Sequence, residues 1–153
     1  MAELGWRRPI FRALAFVGVP LAMLALLELG LRLAGFGYPT GFLLGARPNG
    51  QKVFTQNNRF GWRFFGPRLS RTPRSFTMAQ VKPPDTFRVF VFGESAAFGD
   101  PQPEYGLPRM LQAMLELRYP GVPFEVVNAA MTGINSHAVL PIARDCAKAD
   151  ADV

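Results

Sequence analysis

Residues 87–95 read FRVFVFGES, and this stretch decides the fold. Phe87 to Phe92 is a short, nearly continuous apolar run of β-branched and aromatic residues, the mark of a strand buried on both faces. Gly93 ends it, and a loop with Gly99, Pro101 and Pro103 follows. Leu107, Met110, Leu111, Met114 and Leu115 then recur at helical spacing until Pro120-Gly121 stops the helix. Phe124 to Asn128 (FEVVN) reads as a second strand. Asn135 or Ser136 can cap a second helix, whose apolar face includes Val139, Ala143 and Cys146, with Pro141 bending its first turns. Alternating strands and helices predict a parallel sheet with right-handed crossovers. Asp152-Val153 reads as the start of a third strand. Two parallel strands are too few to stand alone, so residues 85–153 are expected to be the first half of a larger domain.

Upstream of this region the charge is uneven. Residues 1–46 carry +2, residues 47–88 carry +8 and residues 89–153 carry −4, within a net +6. The chain is therefore a basic middle joined to an acidic end. Fourteen Phe and only 18% charged residues exclude a disordered chain. One cysteine, Cys146, excludes a disulfide framework, and with a single histidine it excludes a Cys/His zinc site. No repeat or low-complexity tract occurs.

The basic middle reads as a Pro/Gly-rich linker over 36–84. Phe60, Trp62 and Phe64 alternate with Gly61 and Arg63, which predicts a short strand with an aromatic face. Arg68, Arg71, Arg74 and Lys82 follow among prolines, so that stretch is expected to be extended. Basic residues among aromatics can bind single-stranded nucleic acid or anionic lipid. The simpler reading, that these side chains cover the acidic domain beside them, is preferred, and no nucleic-acid partner is expected. Gly35-Phe36-Gly37 begins like a dinucleotide fingerprint but follows no strand and has Thr40 where the third glycine belongs. No cofactor is expected.

Between Ala13 and Leu27 there are 15 residues without a charge. A span needs about 20 apolar residues. Glu28 and Arg32 lie four apart in the favourable order for an ion pair, and near a span's end their heads can reach the headgroups. Including them gives a transmembrane segment over 13–35, in which Pro20 is tolerated. Trp6, Arg7, Arg8 and Arg12 flank it as a cytoplasmic N-terminus over residues 1–12 does. ELGLRLAGFG lacks a clean small-x-small cleavage site. The expectation is an uncleaved single-pass signal-anchor with the later domain outside the cytoplasm.

Chemistry in open α/β sheets gathers at the carboxyl ends of strands. Those ends carry Gly93-Glu94-Ser95-Ala96 and Asn128 through Asn135. A serine directly after a buried strand is held by the sheet yet projects into the crevice, which suits a nucleophile. Gly133 on the neighbouring loop lets a backbone N–H approach an oxyanion. Serine is as readily a turn or cap residue, and Gly133 a plain turn. His137 is the sole histidine, four residues after Gly133 and beside a helix cap, and reads as a first-turn residue. Glu94 points away from Ser95 and cannot orient a base for it.

These residues carry a resemblance. FRVFVF followed by GES resembles the first block of the SGNH, or GDSL-type, hydrolases, with Ser95 in the nucleophile's place. EVVNAAMTG resembles their second block, with Gly133 as an oxyanion donor. The likeness covers residues 85–153 and departs at Glu94, where the family has Asp, and at Ala96, where it has Leu. It implies a truncated flavodoxin-like, three-layer α/β/α parallel sheet preceded by one N-terminal transmembrane helix. It further implies a membrane-anchored esterase acting on lipid or acylated carbohydrate esters. The third block's Asn and the late Asp-x-x-His would lie beyond Val153, so this chain alone is expected to be inactive. GESA also resembles an α/β-hydrolase elbow, but position 97 is Ala and the prolines leave room for only a short helix after Ser95. The alternative from another class is a non-catalytic anchored scaffold holding lipid or an acidic partner through residues 47–88.

Overall fold

A computed structural model describes residues 7–153, which divide into two units, residues up to 38 and residues 39–153.

The first unit is one helix, α1 (Arg7–Leu33, 27 residues). Its stretch Pro9–Leu33 has a mean hydropathy of 2.2 and is long and apolar enough to span a membrane. At 1.5 Å per residue 25 residues cover more than the roughly 30 Å of a hydrocarbon core. Pro20 stays inside the helix. Arg32 Nε donates to Glu28 Oε1 at 2.7 Å, the pairing expected from their spacing. The helix closes earlier than position 35. Gly35 N–H donates to Arg32 O and Phe36 N–H to Leu31 O, a Schellman closure that satisfies the last carbonyls. The flank reading of Trp6, and of the Arg7 and Arg8 side chains, lies outside the described residues.

The second unit begins with a correction. Residues 36–84 are not a linker. β1 (Leu43–Ala46), β2 (Val53–Gln56) and β3 (Thr77–Ala79) form an antiparallel sheet in the order β1-β2-β3. Nor is there an aromatic strand at 60–64, for Trp62–Leu69 is a helix, α2, kinked at Gly66. The cause is Asn57, which is buried. Its Nδ2 donates to Pro39 O and Gly41 O, and its Oδ1 accepts from Arg59 N–H, so the chain leaves β2 in a turn. Phe60 then drops into the interior, edge-on to Phe42 with centroids 5.4 Å apart. A five-residue alternation holds too little information to separate a strand from one helical turn.

The second half holds the expected strands and helices, β4 (Phe87–Val91), α4 (Leu107–Arg118), β5 (Phe124–Asn128) and α5 (Ser136–Cys146), with one helical turn, α3 (Ser95–Phe98), where only a loop was expected. β4 and β5 are parallel, with Phe87 opposite Phe124 and Val91 opposite Asn128. Asn135 caps α5, its side chain accepting from His137 N–H. The last residues run along the other edge of β4, outside the two-stranded sheet: Phe90 N–H donates to Val153 O at 2.9 Å, and Arg88 O accepts from Asp152 N–H at 2.9 Å and Val153 N–H at 3.4 Å. Gln112 covers the outer edge of β5. Its amide donates to Phe124 O and accepts from Val126 N–H, as a neighbouring strand would.

One core serves both halves of this unit: Phe42, Phe60 and Met78 meet Phe90, Val127, Met131, Ile142 and Cys146. Cys146 is fully buried, and burial, with Asp145 adding to it, pushes its thiol up to about 12, so it packs as a protonated apolar residue. Phe42→Ala should destabilise the protein by about 3–5 kcal/mol, read from its urea unfolding midpoint. A linker residue at position 42 would leave that midpoint where it is.

Arg88 belongs to the basic stretch by sequence but lies wholly inside. Nε donates to Glu125 Oε2 at 2.6 Å, Nη1 to Ala149 O at 2.7 Å and Nη2 to Ala79 O at 3.0 Å. One side chain thus ties β4 to β5, to β3 and to the segment after α5.

Asp152 closes the same corner. Its carboxylate accepts from Lys82 Nζ at 2.6 and 2.7 Å and from Arg88 N–H at 2.7 Å. The Lys82 hydrogen bond, then the backbone one, holds its pKa below the ordinary 3.8. The depressed value means that the stabilisation is complete above 3.8 and fades as pH falls below it, through the folded value. Lys82→Ala should raise the Asp152 titration midpoint toward 3.8, followed by NMR of the side-chain carboxylate; an unmoved midpoint would contradict that cause.

Candidate active site

β4 and β5 end side by side, and their pairing runs on into the loops. Ala129 N–H donates to Val91 O at 3.0 Å and Met131 N–H to Gly93 O at 3.1 Å. Two side chains add further ties. Asn128, buried at the end of β5, donates from Nδ2 to Phe98 O at 3.0 Å and accepts from Ala130 N–H at 3.1 Å. The Thr132 hydroxyl bonds to the Asp100 carboxylate. The loop after β4 is therefore clamped to the loop after β5 at three points, and Ser95 and Gly133 stand on these two loops.

Ser95 is the first residue of α3, a single turn whose start is set by Gly93. Gly93 has φ +154°, and a Cβ there would come 2.5 Å from Ala97 Cβ. Only glycine fits while Ala97 packs against it. Ser95 O accepts from Gly99 N–H at 2.9 Å and Asp100 N–H at 3.0 Å, which fixes the turn. The residue is half-buried. Among the described residues, no group hydrogen-bonds to its hydroxyl or to its amide.

Gly133 lies in a turn with φ +72° and is exposed. A Cβ there would meet nothing within 4 Å. Backbone conformation, not crowding, demands glycine, and the space beside it is open to a ligand. Its amide likewise has no partner among the described residues.

Glu94 and His137 are both exposed, and neither is hydrogen-bonded to Ser95. The His137 backbone is engaged in the α5 cap. Ser95 therefore has no base within hydrogen-bond reach among the described residues. Asn128 is the positioning residue that sequence reading passed over. Its only signal is a polar residue closing a strand, FEVVN, right after two valines.

Two cavities lie near these loops. One, of about 360 Å³, is lined by Arg71, Thr72, Phe98, Asp100 and Thr132. The other, of about 210 Å³, runs along β5 between Phe76, Met78, Gln112 and Asn128. Neither Ser95 nor Gly133 lines them.

Much of the basic middle is engaged within the domain. The Arg59 guanidinium stands 5.0 Å from the Trp62 ring, and that of Arg63 5.8 and 5.4 Å from the Phe60 and Phe64 rings. Arg74 meets Glu104 at 3.3 Å, Lys82 meets Asp152 and Arg88 is internal. These contacts are all made within the same unit.

No protein-family model, curated protein or solved structure matches this chain.

Proposed function

We propose that the protein is a membrane-anchored serine hydrolase of the SGNH type that cleaves ester bonds. The observation that carries the reading is the clamp between the two loops. It brings a serine and a free glycine amide to the carboxyl ends of adjacent parallel strands, where open α/β sheets bind ligands. In this reading Ser95 Oγ bonds to the ester carbonyl carbon and gives its proton to a base. The carbonyl π pair moves onto oxygen, where the Ser95 and Gly133 amides receive the negative charge. Collapse expels the alcohol, and water releases the acid from the acyl-serine.

The reading needs a base for Ser95, and among the described residues none is hydrogen-bonded to it. Placement of Asp152-Val153 and β5 on opposite edges of β4 agrees with the strand order 2-1-3 at the start of a flavodoxin-like sheet. α1 serves as the single-pass anchor, with residues 39–153 on the extracytoplasmic side. The substrate is an ester of a lipid or an acylated carbohydrate. A fluorophosphonate probe applied to the intact protein should form an adduct that peptide mass spectrometry maps to Ser95. An adduct on another serine, or none at all, removes the assignment.

A further inference from the structure

The cavity of about 360 Å³ is lined in part by Phe98, Asp100 and Thr132, which stand on the two loops that carry Ser95 and Gly133. Phe98 and Asp100 in its lining follow Ser95 within the same turn, and Asp100 N–H donates to Ser95 O at 3.0 Å. Thr132 in its lining immediately precedes Gly133. A substrate whose carbonyl sits against the Ser95 and Gly133 amides therefore has this depression as its neighbouring space.

Arg71 is the cation of that depression; Arg47, Lys52 and Arg68 are likewise exposed and unpaired among the described residues, but none of them lines it. Arg74 and Lys82 pair with carboxylates, Arg59 and Arg63 lie over rings, and Arg88 is internal. Among the described residues, the Arg71 guanidinium has neither an ion pair nor a hydrogen bond, and the residue is exposed. The one carboxylate in the lining, Asp100, is engaged by the Thr132 hydroxyl and forms no ion pair with Arg71. A guanidinium presents a planar fork of donors that matches a carboxylate or phosphate in a two-point contact. The Thr72 hydroxyl adds a further donor to the same lining. A neutral ester would leave that fork unused.

We infer that Arg71 makes the enzyme selective for esters that carry an anionic group, a carboxylate or phosphate, close to the scissile bond. The inference rests on the hydrolase reading above and adds a substrate class to it. The two halves of an ester are two sources of such an anion, either the acyl chain or the alcohol.

The test uses the detergent-solubilised intact protein and three nitrophenyl esters. These are the neutral acetate, the hemisuccinate with its carboxylate on the acyl side, and the acetate of a carboxynitrophenol with its carboxylate on the leaving group. One anionic ester should exceed the neutral acetate in kcat/KM, and which one identifies the half that reaches Arg71. In Arg71→Gln that advantage should shrink by roughly 10- to 100-fold, the range for hydrogen bonds to a charged group. Arg71→Lys should keep part of it, since charge remains while the fork is lost. Arg118→Gln, which removes a cation stacked on Tyr119, should leave the ratio unchanged. Turnover of the acetate with no anionic preference, or a preference that survives Arg71→Gln, overturns the role of Arg71 and leaves the hydrolase standing. An equal loss in Arg118→Gln also overturns it, since net charge would then suffice. Absence of turnover on all three esters together with no adduct on Ser95 overturns both.

Discussion

In the intact protein, Ser95→Ala is expected to lower kcat on short-chain nitrophenyl esters by about three to six orders of magnitude, the loss seen when an activated nucleophile is deleted. Only the amides would remain, and an oxyanion pocket without an attacking group retains a small residue of catalysis. The variant should fold as the parent does. The Ser95 hydroxyl has no partner among the described residues, and Ala96 and Ala97 beside it show that the turn accepts alanine. Removing it should change stability by no more than about 0.5 kcal/mol. The pair of measurements separates chemistry from architecture. Retained turnover would mean that Ser95 is a helix-start residue and nothing more. A collapse of stability with the loss of turnover would deny the residue any special chemistry.

Replacing Arg88 by alanine should cost about 3–5 kcal/mol of folding free energy, the range for removing one partner of a buried ion pair. Against a total of about 5–15 kcal/mol, that is a large part of what a domain has. The loss has several sources. Ala79 O and Ala149 O would be left in the interior without a donor, and a cavity would open where the guanidinium lay. Glu125 would suffer less, because its side chain is 29% exposed and water can replace Arg88. Glu125→Gln should therefore be the milder change. Urea unfolding of the detergent-solubilised protein, followed by tryptophan fluorescence, compares the two. An Arg88→Ala midpoint equal to the parent's would show that this hub does not hold the sheets together.

The sequence features that were legible are those with a local physical cause. Pro9–Leu33 has a mean hydropathy of 2.2 despite Arg12, Glu28 and Arg32, and no fold is needed to recognise that such a helix is long enough to cross a bilayer. The Glu28–Arg32 pair follows from helical spacing alone. β4, α4, β5 and α5 were readable because each carries its own periodicity and stop signal, down to the Asn135 cap. What was misread lies between positions 36 and 84. β1, β2 and β3 are three or four residues long, shorter than any window in which alternation can be told from chance. The prolines and glycines between them look like a linker until the chain is seen to bury Phe42 and Phe60.

The candidate site divides along the same line. A serine after a buried strand and a glycine after the next are visible in the letters of the chain. The hydrogen bonds that clamp their loops are not, since Gly93 and Met131, Phe98 and Asn128, and Asp100 and Thr132 are 30 or more residues apart. Arg88 makes the contrast plainest. By sequence it is one of nine positive charges in a basic stretch, yet its partners come from β3, β5 and the segment after α5. Local order and the membrane-length helix were set by the amino-acid sequence because neighbouring residues decide them. Which charges turn inward, which strands join and which loops meet depended on contacts between distant segments, and those exist only once the chain has closed on itself.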